Sequence, residues 1–102
     1  MTQAQTPVLN QAIAWFEIPV RDIERAQRFY EALLAQPLGR EAMGGATLAV
    51  FPAAEDGAKG CLHSGAGALQ PSAEGTLVYL DAGPSLDAAL SRAAELGARI
   101  AT

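Results

Sequence analysis

Between Ile13 and Val20 the apolar and polar positions alternate with a period of two, and from Asp22 onward the period becomes helical. In the first stretch Ala14, Phe16, Ile18 and Val20 share one face, and Ile13, Trp15, Glu17 and Pro19 share the other, as the pleat of a strand dictates. The even face is wholly apolar, so it predicts a strand lying against the helix that follows. The odd face combines an indole with a carboxylate. Pro19 cannot donate to a ladder and belongs at a strand end or sheet edge. Asp22 occupies the N-cap position, where a short carboxylate accepts from free amides of the first turn. Behind it Ile23, Ala26, Phe29, Tyr30, Leu33 and Leu34 make one apolar stripe, with Arg21, Glu24, Arg25, Arg28 and Glu31 mainly on the other side. Gln36-Pro37 ends the helix, because a residue before proline avoids the helical region.

Further along, Leu38–Met43 predicts a weak strand, Gly44-Gly45 a hairpin turn, and Ala46–Phe51 a better strand. Pro52–Ala58 is a loop and Lys59–Ser64 a short strand, followed by a connector, Gly65–Gly75, rich in Gly, Ala, Pro and Ser. Then the opening pattern returns. Thr76–Asp81 predicts a strand and Ser85 a cap. Leu86, Ala89, Leu90, Ala93 and Leu96 form a helical stripe, Gly97 a C-terminal stop, and Ala98–Ala101 the start of another strand. The two caps, Asp22 and Ser85, are 63 positions apart. Strand, cap, helix and strand recur in that order, which reads as an internal repeat with a second copy cut short. Residues 1–11 read as a loose lead-in.

Composition narrows the partners. A chain of 102 residues is one domain hiding roughly 60–70% of its unfolded surface. Only 18% of residues are charged and 50% are hydrophobic, against about 25% charged in an average soluble domain. That balance leaves apolar surface to spare and favours a dimer or larger assembly. A net charge of −4 without a Lys/Arg cluster argues against nucleic acid and anionic membranes. No apolar run is long enough to span a bilayer, and Met1–Gln11 lacks the layout of a signal peptide. The single cysteine, Cys61, excludes an internal disulfide, suggests a reducing cytoplasm, and reads as a small buried hydrophobe. Gly44-Gly45 and Gly65–Gly67 do not lead from strand to helix at a phosphate-binding spacing; they are turns.

The segments FEIPVRDIERAQRFYEALL, MGGATLAVFP and SAEGTLVYLDAGPSLDAAL together resemble the vicinal-oxygen-chelate superfamily: glyoxalase I, extradiol dioxygenases, and bleomycin- and fosfomycin-resistance proteins. The run from Val20 to Tyr30 carries most of the likeness. The resemblance implies an α+β fold of paired βαβββ modules whose curved sheets enclose a cavity, often with a metal, commonly in a homodimer. The first module would span residues 12–64, and residues 75–102 would begin a second, truncated one within a single domain, 1–102. Completing that second module would take about 20 further residues, supplied by more chain or by a partner.

The resemblance also implies metal ligands (His, Gln and Glu) on the first and last strands of each module. The first such position falls at Trp15, seven residues before Asp22, where an indole cannot ligate a cation. Its counterpart falls at Thr76 or Leu77, and the fourth strand's at Leu62 or His63. A two-histidine, one-carboxylate triad needs a second imidazole, and the chain has one His. The expectation is therefore a cytoplasmic small-molecule-binding protein with an apolar cavity lined by Trp15, Glu17, His63 and Tyr79. It would have no cofactor and no metal held by this chain alone.

Each of these side chains has two readings. Trp15 is a stacking wall for a flat ligand or an anchor in a dimer interface. Glu17 is a candidate general base, because burial disfavours a charged carboxylate, or else a rim carboxylate paired with Arg40 or Arg99. His63 is a metal ligand or a polar residue of the cavity rim, and Tyr79 offers a phenol to the cavity or is half-buried packing. The alternative function is a metal-dependent lyase, isomerase or dioxygenase whose remaining ligands lie in a segment beyond Thr102, with Glu17 moving a proton. A third is a subunit whose sheet only builds an assembly.

Overall fold

A computed structural model describes residues 12–100. The chain runs β1 (Trp15–Pro19), α1 (Ile23–Leu34), β2 (Gly39–Met43), β3 (Ala46–Val50), β4 (Lys59–Gly65) and α2 (Leu86–Glu95). The four strands form one mixed sheet in the order β1-β4-β3-β2. This is the βαβββ order, α+β in class. β1 and β4 are parallel, with Trp15 opposite Lys59 and Pro19 opposite His63. The two hairpin pairings, β2–β3 and β3–β4, are antiparallel.

The alternation in β1 settles which face the helix covers. Phe16, Ile18 and Val20 pack with Ile23, Ala26, Tyr30 and Leu34 of α1 around a buried nucleus of Leu38, Ala49, Phe51 and Leu62. Phe16 lies over Gly60, where an added Cβ would come within 2.4 Å of its ring; only glycine leaves room for that ring. Phe16 and Tyr30 both meet Phe51 at ring-centroid distances of 5.6 Å, a spacing that adds favourable edge and offset contacts to area burial.

The caps form as the residue types demand. Asp22 Oδ1 accepts from the Arg25 amide at 3.1 Å, and Ser85 Oγ from the Ala88 amide at 3.1 Å. α1 ends on Ala35 in the left-handed region (φ 55°). The turn after it is latched by Glu31, which accepts from the Leu38 amide at 2.8 Å. α2 lies against α1, and its Arg92 donates to the Ala32 and Leu33 carbonyls at 2.8–3.2 Å. α1 has no basic residue in its own last turn, so α2 supplies the positive charge that a helix C-terminus favours.

The second half departs from expectation in its strands. Residues 76–81 form no ladder, and residues 98–100 are likewise irregular. Ala101 and the lead-in at residues 1–11 lie outside the described residues. Leu80 packs on the core, while Leu77 (77% exposed) and Tyr79 (89%) face outward. A strand sequence becomes a strand only beside another with free backbone groups, and no described strand pairs with this segment. Within the described residues the four strands thus make a single sheet, with α1 packed on one face and α2 against α1.

Candidate functional site

The face of the sheet away from α1 carries the candidate chemistry. The strand register places Trp15, Glu17 and Pro19 of β1 beside Cys61 and His63 of β4, and these beside Val50 and Leu48 of β3. The Val20 amide donates to the His63 carbonyl at 2.9 Å, which pins His63 to the end of β1. Its side chain is 13% exposed and that of Glu17 is 47% exposed.

Three of the expected site residues form a chain of contacts. The Trp15 indole N–H donates to Glu17 Oε2 at 3.0 Å, and His63 Nδ1 lies 3.4 Å from Glu17 Oε1. Both carboxylate oxygens therefore face a nitrogen within the site. The pairing of Glu17 with Arg40 or Arg99 is not what forms: Arg40 donates instead to Gln27 Oε1 at 2.7 Å. Cys61 is fully buried. Burial first, then the Glu17 and Glu41 carboxylates, push its thiol up to about 11, so at neutral pH it is a packed thiol and no nucleophile.

Tyr79 stands apart from Glu17 and His63. It and Trp15 share an open apolar groove of about 820 Å³ at the start of β1, with Phe51, Pro52 and Val78. Trp15 is 43% exposed and is the link between groove and sheet face. Val78 belongs to the TLVYLD stretch and could have been found with Tyr79. Pro52 comes from a loop whose place beside Trp15 only the register of β3 against β4 determines.

As a metal centre the face does not fit. Trp15 offers a donor where a ligand needs a lone pair, Thr76 and Leu77 lie off the sheet, and one imidazole and one carboxylate remain. Among the described residues no three His, Cys, Asp or Glu side chains come together, and no helix is long and apolar enough to cross a membrane.

The family model described as bleomycin resistance protein-like N-terminal matches residues 12–34, the segment that forms β1, its cap and α1. No curated protein and no solved structure matches the chain.

Proposed function

From the place in the vicinal-oxygen-chelate and bleomycin resistance superfamily that residues 12–34 support, we propose that this chain is a small-molecule-binding protein. Its ligand is flat and largely apolar and lies against Trp15. The observation that carries the reading is the half-exposed indole lining an apolar groove with Tyr79. An aromatic wall gives contact area with few rotatable bonds to order. Glu17 fixes the indole through its N–H, and His63 lies one contact further along the sheet face, 3.4 Å from Glu17 Oε1. Residues 75–102 begin a second module, and the chain pairs with a second copy of itself in a cytoplasmic homodimer.

Trp15 emission gives the test. Titration with neutral flat aromatics such as 2-acetylnaphthalene quenches it saturably, and Tyr79→Ala weakens the binding by roughly threefold to tenfold. Absence of quenching across a panel of such compounds sinks the reading. Sedimentation at the mass of one 10.6 kDa chain sinks the homodimer but not the groove. The metal-dependent lyase, isomerase or dioxygenase alternative rests on the contact between Glu17 and His63 and needs donors from outside this chain. Stoichiometric metal that is stripped by chelator and lost in His63→Ala decides for it.

A further inference from the structure

A second groove, of about 530 Å³, lies at the opposite end of β1 from the Trp15 groove. It is bounded by the corner between β1 and α1, by Pro71 of the connector, and by Leu96–Ala98 after α2. Its lining divides by chemistry. Phe29, Tyr30, Pro71 and Leu96 are its apolar residues, whereas Arg21, Arg25 and Asp22 are its charged ones. Among the described residues neither guanidinium has a hydrogen-bond or ion-pair partner, in contrast to Arg40 and Arg92, which donate to Gln27 and to the end of α1. The carboxylate in the groove, Asp22, accepts from the Arg25 amide as the helix cap. The Tyr30 hydroxyl also has no hydrogen-bond partner among the described residues. Burial raises its pKa, so it remains a protonated donor at neutral pH.

We propose that this groove binds a small organic anion: a carboxylate on an apolar body of about the size of a bicyclic aromatic ring system. The apolar lining removes the body from water. Arg21 and Arg25, without ion-pair partners among the described residues, can turn planar donor forks to a carboxylate, which they suit better than a point charge would. A neutral ligand leaves both guanidiniums without a partner, and inorganic phosphate leaves the apolar lining in water. In a chain of net charge −4, this selects for the sign of the ligand's charge against the overall field of the protein. The site shares no residue with the Trp15 groove and does not depend on it.

A matched pair of probes tests this on the whole chain: 2-naphthoate, and 2-acetylnaphthalene as its neutral counterpart, followed by amide ¹H–¹⁵N shifts. 2-Naphthoate moves the Ala26 and Gly97 amides saturably. Added salt weakens it, and the double variant Arg21→Gln/Arg25→Gln loses about fivefold or more in affinity. 2-Acetylnaphthalene binds these amides more weakly, and the double variant leaves its quenching of Trp15 unchanged. Equal affinity of the variant for 2-naphthoate, or no shift at those two amides at millimolar concentration, overturns the proposal. Should the variant unfold, the wild-type comparison of the two probes at those amides still decides. Because Trp15 emission reports the other groove, the two sites can fail separately.

Discussion

The two halves of this chain begin with the same local plan and finish differently. In residues 15–65 an alternating strand feeds a capped helix, and three further strands close a ladder around Leu62, which is fully buried. In residues 76–95 an alternating segment again precedes a capped helix, yet the segment forms no ladder and only Leu80 reaches the core. The caps match closely: Asp22 (φ −122°, ψ 98°) and Ser85 (φ −139°, ψ 109°) each accept from the amide three residues on. Helix and cap need only nearby residues. A strand needs a neighbour that sequence order does not supply.

That contrast breaks most sharply in the core. Leu62→Ala is expected to cost about 3 kcal/mol, the transfer of the side chain plus the cavity it leaves, whereas Leu77→Ala in the unladdered segment changes stability by less than about 0.5 kcal/mol. Urea unfolding of both variants reads the difference, and equal losses would mean that residues 76–81 pack far more than their exposure shows.

Arg92 is the next largest lever, because it ties the halves together. Arg92→Met removes the donors to the Ala32 and Leu33 carbonyls and is expected to cost about 2 kcal/mol. The loss is regional: amide hydrogen exchange speeds up in α2 while β3 and β4 remain protected. Exchange rising equally in the sheet would show that α2 is part of one cooperative unit with it.

The caps sharpen the comparison at smaller scale. Asp22→Ala and Ser85→Ala each remove a cap worth about 1 kcal/mol. The first should lower the global midpoint of unfolding, because α1 covers the sheet. The second should be visible chiefly as faster exchange in α2. Smallest is the latch at the end of α1. The Leu38 amide, then Gln27 and Arg40, hold the Glu31 carboxyl below its ordinary 4.5. The folded state therefore favours the charged form, so the contribution is complete above 4.5 and is lost as the pH falls through the lowered value. Glu31→Gln should lower stability at neutral pH, leave it nearly unchanged at the acid end, and so flatten the acid limb of a stability–pH profile. An acid limb of unchanged slope would assign that loss to other carboxylates.

Much of the candidate site was legible, but not its arrangement. Trp15 and Glu17 are two apart on an alternating strand, so their shared face follows from the pleat alone. His63 joins them only because β4 pairs in parallel with β1, a contact across 46 residues of chain. Tyr79 was expected beside Glu17 and His63 and lies instead in the groove with Trp15, because its segment lacks the ladder that would have carried it onto the sheet. Arg21 and Arg25 read as the solvent side of a helix. No sequence signal placed Pro71 and Leu96 across from them, since those residues come from the connector and from the end of α2.

By itself the sequence determined what short-range physics controls: the periods of two and 3.6, the caps, the turns, and which face of β1 is apolar. Tertiary structure alone decided which strands pair, which carboxylate the imidazole meets, and which guanidiniums have no partner among the described residues. Those outcomes depend on backbone groups and charges brought together from distant parts of the chain, and spacing along the sequence does not encode them.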